Sequence, residues 1–224
     1  MKGKLIVIEG TDCSGKETQS KMLLEKLKKS KIAIEQFSFP NYDSPTGIII
    51  GGSYLGKSHI GPCIFPEGAV NVDPKVASLL YAADRLYNID AINKLLDNGT
   101  NVILDRYVFS NMAHQGGKIK EYDQRIKMYK WLEKLEFDLL ELPQPDISIF
   151  LHMPYEQAVK LKQNRTEIDQ HEMDENHLRM AETSYIELSN LYNWYTIECN
   201  NEDIIKTKSE IHNEIYNYVK VKVK

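Results

Sequence analysis

The chain has 224 residues, 42% of them hydrophobic and 27% charged, with a formal charge of -4 at pH 7. That much apolar material excludes a disordered chain and suffices for a full core. The acidic balance argues against a dedicated nucleic-acid binder, which needs a basic face to neutralise phosphates. A small anionic ligand stays open, because local basic residues outvote the total.

The first apolar run, residues 5–8, stops at Glu9. It is too short for a signal-peptide core, and nothing approaches the roughly 18 apolar residues of a membrane span. Three cysteines, Cys13, Cys63 and Cys199, are widely spaced and odd in number, so neither a disulfide framework nor a zinc cluster is suggested. The expectation is one reduced, cytoplasmic domain over residues 1–224, with no membrane or nucleic-acid partner.

In chain order, short β-rich apolar runs alternate with segments of helical period, the signature of βαβ units. A strand is predicted at residues 4–9, a helix at 15–29 and a strand at 32–38. Residues 39–72, rich in Gly and Pro, read as a long irregular loop of the kind that is usually functional. Asp73-Pro74 starts the next helix, since Asp73 accepts the free amides of the first turn and Pro74 needs no partner there. It runs to about Leu96 and stops at Asn98-Gly99. Strands follow at 101–105, 146–151 and 195–198, and helices at 122–137, 155–163, 176–190 and 203–219. The class is α/β, a five-stranded parallel sheet with helices on both faces; the glycine-bounded GxxxxGK segment after its first strand, residues 10–16, makes it the P-loop NTPase type.

Between the first strand and helix stands Gly10-Thr11-Asp12-Cys13-Ser14-Gly15-Lys16-Glu17-Thr18, a GxxxxGK phosphate loop in its required context. Gly10 and Gly15 permit the tight path, successive amides and the helix N-terminus meet phosphate oxygens, and Lys16 reaches the β and γ phosphates of ATP. The position after Lys16 ordinarily carries Ser or Thr for Mg2+. Here it is Glu17, so either that carboxylate serves, or the ion relies on phosphate oxygens, water and another acid. Asp105, at the end of an apolar strand, is the second acid, as a Walker-B aspartate or as a turn cap. The guanine-reading Asn-Lys-x-Asp of switch GTPases is absent; Asn93-Lys94-Leu95-Leu96-Asp97 is one residue too long and falls within a helix. A kinase is favoured.

Further segments, Phe39-Pro40, Leu79-Leu80-Tyr81-Ala82-Ala83-Asp84-Arg85, Asp105-Arg106-Tyr107-Val108-Phe109-Ser110 and Leu142-Pro143-Gln144-Pro145-Asp146, resemble the thymidylate kinase family over residues 3–198. The resemblance implies transfer of the γ-phosphoryl of ATP to dTMP. It assigns Asp12 to the acceptor sugar 3'-hydroxyl, Tyr81 to stacking on the base and Arg85 to a base carbonyl. Arg106 goes to the acceptor phosphate, and Ser110, Asn111 and Gln115 to the pyrimidine edge. Apart from the family, Tyr81 reads as core and Arg85 as a solvated partner of Asp84 or a nearby Glu. His114 stands where the family commonly has a Tyr under the sugar, and Tyr42 where an arginine often follows Phe-Pro.

Residues 160–175 match the family's mobile lid. Because the phosphate loop offers Cys13 and no arginine, Arg165 is assigned the catalytic guanidinium, with Lys160 in reserve. A homodimer is implied, using the long helix after Asp73. The alternatives are another pyrimidine nucleotide or nucleoside kinase, or a nucleotide-binding regulatory protein without chemistry.

Overall fold

A computed structural model of the chain describes residues 2–162, 174–202 and 204–223. Strands β1 (Leu5–Gly10), β2 (Ile34–Ser38), β3 (Asn101–Asp105), β4 (Ile147–His152) and β5 (Tyr195–Glu198) form one sheet in the order β2-β3-β1-β4-β5, parallel throughout. All of β1 is buried. Leu5 and Val7 join Val102, Leu104 and Phe150 in one core layer, whereas Ile6 and Ile8 join Ile103, Ile149 and Leu151 in the other. Two covered faces explain why these strands read as continuous rather than alternating apolar runs. From β1 the chain crosses toward β2, and from the neighbouring β3 it crosses the other way to β4. Their carboxyl ends therefore flank the crevice where such sheets bind ligands.

The helices are α1 (Lys16–Lys29), α2 (Pro45–Ile49), α3 (Pro74–Asp97), α4 (Val108–Gly116), α5 (Tyr122–Glu133), α6 (Tyr155–Lys162), α7 (Glu175–Leu191) and α8 (Lys208–Val219). As expected, Asp73 caps α3, accepting from Lys75 N at 2.8 Å and Val76 N at 3.2 Å, and Gly99 leaves the helix at φ +81°.

Four expectations need correction. The loop 39–72 is partly ordered: α2 and the π turn Ile50–Tyr54 wrap a small core of Ile50, Tyr54, Leu55, Ala69 and Val72 against Ala77 of α3. The helix predicted at 122–137 is regular only to Glu133, after which Lys134–Leu139 widens into a π turn. The last helix begins at Lys208 rather than 203, because Thr207 and Glu210 form a capping box and Asn200–Asn201 pairs with Ile204–Ile205 as a short antiparallel ribbon. Helix α4 was not anticipated as an element; it spans only nine residues, and all but one of them are buried, the polar Ser110, Asn111 and Gln115 included. Most of the expected lid, including Arg165, lies outside the described residues. Among the described residues no helix is long and apolar enough to cross a membrane.

Candidate active site

The glycine loop closes as its sequence requires. A Cβ on Gly10 would stand 2.5 Å from Ser14 Oγ and 2.7 Å from the Leu151 carbonyl, and Gly15 adopts φ +82° as it enters α1. Thr11 turns its hydroxyl to the residue just past β4, donating to Met153 O at 2.7 Å and accepting from Met153 N at 2.9 Å. Lys16 Nζ lies back over the loop, donating to the carbonyls of Gly10 (2.9 Å) and Thr11 (2.8 Å). Burial, together with the nearby Arg106 charge, lowers its pKa to about 8 against the pull of Asp12, Asp105 and Glu9. Beside it opens a cleft of about 570 Å³ lined by Asp12, Cys13, Gly15, Lys16, Glu17, Thr18, Asp105 and Arg106.

The two expected metal-binding acids differ in setting. Asp105 ends β3 next to this cleft, and burial raises its pKa. Glu17 is exposed and turned along α1, where its Oε1 accepts from Lys21 Nζ at 2.5 Å. No group of three or more His, Cys, Asp or Glu among the described residues is arranged to hold a metal ion.

A second cleft, of about 870 Å³, is lined by every residue expected at the acceptor: Asp12, Tyr42, Tyr81, Arg85, Arg106, Ser110, Asn111, His114 and Gln115. The two clefts share Asp12 and Arg106. Arg106 sits at φ +67°, a conformation rarely kept without a surrounding that over-determines it. Its NH2 donates to Asp12 Oδ1 at 3.0 Å. Its NH1 faces Tyr185 OH at 3.3 Å, His114 Nε2 at 3.4 Å and Ser110 Oγ at 3.5 Å. Burial alone would raise the Asp12 pKa, but the charges of Arg106 and Lys16 outweigh it and hold the carboxyl well below the usual range. Behind His114 stands His177, stacked at 5.4 Å with a ring-nitrogen contact of 3.2 Å.

At the far end of this cleft Tyr81 meets Tyr54 edge-on at 5.8 Å. Arg85 is not the solvated partner of Asp84; it is buried and forked onto Glu136, which is itself fully buried. Asp84 instead pins the start of the long loop, accepting from Asn41 N (2.9 Å), Ser44 Oγ (3.0 Å) and Thr46 Oγ1 (2.7 Å). Asn111 Oδ1 and both amide atoms of Gln115 are buried and make no hydrogen bond among the described residues.

Sequence reasoning missed Glu9, Tyr185, Glu136 and His177. Glu9 is fully buried: Oε1 accepts from Tyr107 N (2.9 Å) and Ser110 N (3.1 Å), and Oε2 accepts from Ser110 Oγ (2.5 Å). Burial raises its pKa against these bonds and the Arg106 charge. The signal was available, because an acid inside a wholly apolar strand must find fixed donors. Glu136 and His177 gave none, since their partners lie 51 and 63 residues away.

The family model described as Thymidylate kinase matches residues 8–215. Thymidylate kinases of Plasmodium falciparum and of Prochlorococcus marinus strain NATL2A are 30% and 32% identical, covering 99% and 100% of this chain and 92% and 99% of theirs. The solved thymidylate kinase of Candida albicans superposes with a TM-score of 0.73 at 26% identity, over 99% of this chain and 92% of that one. With a phosphate loop meeting a second cleft at one aspartate and one arginine, and likeness along its whole length, the chain belongs to the thymidylate kinase family of ATP-dependent nucleoside monophosphate kinases.

Proposed function

We propose that ATP and dTMP lie in the two clefts with their phosphates meeting at the Asp12–Arg106 pair. The observation that carries this reading is that, among the described residues, the two clefts have Asp12 and Arg106 alone in common. Phosphoryl transfer between two phosphates asks for positioning and charge neutralisation more than for acid–base chemistry, because the attacking phosphate oxygen is already ionised near neutral pH. Arg106 takes the acceptor phosphate with its guanidinium fork. Lys16 exchanges its two carbonyl partners for donor phosphate oxygens. The loop amides and the α1 N-terminus stabilise the equatorial charge of the passing phosphoryl group.

Toward the base, the ring of Tyr81 stacks, the free NH1 end of Arg85 donates to a carbonyl, and Asn111 Oδ1 accepts from the pyrimidine N3–H. Gln115 and Ser110 complete the polar wall. The His114–His177 stack occupies the sugar side, and the second oxygen of Asp12 accepts from the 3'-hydroxyl. Tyr42 closes the phosphate end, with Lys57 over its ring at 5.1 Å.

The donor set fits a magnesium ion held chiefly by phosphate oxygens and water, with Asp105 as its carboxylate; Glu17, engaged by Lys21, is the weaker candidate. A magnesium ion held there would supply positive charge to offset that of the phosphates. Arg165 is assigned to the donor phosphates, with Lys160 as the reserve candidate; Lys160 Nζ donates to Gln157 Oε1 at 3.3 Å. A homodimer is supported by Val76, Leu79, Leu86 and Tyr87, which leave an apolar stripe exposed on α3. A cytoplasmic setting is consistent with three free cysteines.

A coupled ADP-release assay with ATP and Mg2+ tests the reading against dTMP, dUMP, UMP, dAMP, dGMP and thymidine. Turnover is expected with dTMP and, more weakly, dUMP, and none with thymidine, which brings no phosphate to Arg106. Equal ADP release with and without a monophosphate, or normal dTMP turnover in Arg106→Ala, would contradict it.

A further inference from the structure

We propose that Glu136, which lines neither cleft, is a positioning residue that fixes the polarity of the base-reading edge and so selects 2,4-dioxopyrimidines over 4-aminopyrimidines. This rests on reading the larger cleft as the acceptor site. Glu136 lies in the π turn after α5 and is wholly buried. Its carboxylate accepts three N–H donors: Arg85 Nε on Oε2, and Arg85 NH2 (2.6 Å) and Asn111 Nδ2 (3.0 Å) together on Oε1.

The second amide proton of Asn111 goes to the Ser78 carbonyl at 3.2 Å. Both donors of that amide are therefore engaged by acceptors on the side away from the cleft. The flipped amide would set its oxygen against a carboxylate and a carbonyl at once, so the orientation follows from the network rather than from choice. What remains for the ligand is Oδ1, buried and without a partner among the described residues.

The same carboxylate holds Arg85 by Nε and NH2, and NH1 makes no hydrogen bond among the described residues. One buried acid thus presents an acceptor on Asn111 beside a donor on Arg85. The N3–H and O4 of thymine or uracil match that pair, whereas cytosine offers a lone pair at N3 and an amine at C4 and mismatches both. Gln115, whose amide atoms have no partner among the described residues, adapts to either base and cannot discriminate. The reader is Asn111, and its direction is set by Glu136.

The experiment compares kcat/KM for dTMP and dCMP in the wild type and Glu136→Gln. In either rotamer the new amide must turn its NH2 toward a donor, Arg85 Nε on one side or Arg85 NH2 and Asn111 on the other, and Asn111 loses its fixed direction. A site that rejects by mismatched hydrogen bonds discriminates steeply, so the dTMP/dCMP ratio is expected to fall about a hundredfold, whatever happens to the absolute rates. A folded variant whose ratio changes by less than about tenfold overturns the proposal, because a merely structural lesion slows both substrates together. If Glu136→Gln does not fold, Glu136→Asp keeps a counter-charge for Arg85 while drawing back from Asn111, and the same collapse of the ratio is required of it. A wild type that leaves dTMP untouched refutes the acceptor-site reading itself; a competent wild type with an unmoved ratio in the variants refutes only the role of Glu136.

Discussion

Replacing Glu9 separates the hydrogen-bonding role of its carboxylate from its charge. No side chain caps α4 from within the helix; two amides at its start, Tyr107 N and Ser110 N, both donate to Glu9 Oε1 across 98 and 101 residues of chain. Glu9→Ala strands both amides in a site without solvent access, at about 1–3 kcal/mol each. The hydroxyls of Ser110 and Tyr185, 2.9 Å apart, still satisfy each other. Relief of the buried carboxylate's desolvation, visible in its raised pKa, offsets part of the loss, leaving a net cost of about 2–4 kcal/mol. At roughly 2–4 °C per kcal/mol for a chain of this size, the melting temperature should drop by about 10 °C. Glu9→Gln keeps an acceptor for both amides, and the Ser110 hydroxyl reverses to accept from the new NH2, so it should cost under about 1 kcal/mol. Because the folded-state pKa of Glu9 lies above its ordinary value of 4.5, the unfolded chain releases this proton first. Wild-type stability should therefore fall relative to Glu9→Gln as pH rises from 4.5 through the folded-state value. Urea and thermal unfolding across pH measure all three. An alanine variant melting within about 2 °C of wild type, or a glutamine variant as damaged as the alanine one, would refute the capping argument.

Arg106→Lys keeps the charge and loses the fork; kcat/KM for dTMP should drop roughly a hundredfold while the KM for ATP stays near wild type, as steady-state kinetics with each substrate varied will show. Arg85→Leu leaves Glu136 buried and unpaired and should cost about 3–5 kcal/mol in urea unfolding, much of it recovered when Glu136→Met is added, since replacing both charges is tolerated far better than removing one. His152, between Glu182 Oε1 at 2.8 Å and Glu198 Oε2 at 2.6 Å, has its pKa raised above 6.5, the two carboxylates overcoming burial. Its folded-state contribution is complete below 6.5 and lost as pH rises through the raised value, so His152→Gln should be destabilised relative to wild type at pH 6 and less so at pH 9 in matched melts.

The sheet was legible because buried parallel strands are long apolar runs, and the longest helix because Asp73-Pro74 and Asn98-Gly99 mark its ends; strand ends fall within two residues of expectation. The phosphate loop was legible because its chemistry is local, six residues from Gly10 to Lys16. The acceptor side was legible as a set of residues but not as a network. Nothing in the order of amino acids says that Arg85 pairs with Glu136 rather than Asp84, because the pairing is made by helix packing across 51 residues. Helix α4 escaped for a related reason: its start is set by an acid in β1, and its polar stripe of Ser110, Asn111, His114 and Gln115 faces the larger cleft rather than open solvent. Glu17 departed from the loop pattern visibly, but only the structure shows its carboxylate engaged by Lys21.

The crevice at the ends of β1 and β3 gathers three acids, Glu9, Asp12 and Asp105, and two bases, Lys16 and Arg106; Glu9, Lys16 and Asp105 are buried, and Asp12 and Arg106 are partly so. Such a cluster is costly unless every charge has fixed partners, and the partners divide by function. Glu9 is held by four donors that no nucleotide displaces, two backbone amides and two hydroxyls. The cations are held more loosely: Lys16 by two carbonyls, and the NH1 of Arg106 by long contacts of 3.3 to 3.5 Å to Tyr185, His114 and Ser110. Among the described residues, only Asp12, at 3.0 Å, forms an ion pair with Arg106. An incoming phosphate therefore replaces weak partners with a strong one while the acid beneath keeps the helix start in place. That asymmetry, fixed anions below and exchangeable contacts on the cations above, lets the same residues stabilise the fold before the nucleotides arrive and bind their phosphates afterwards.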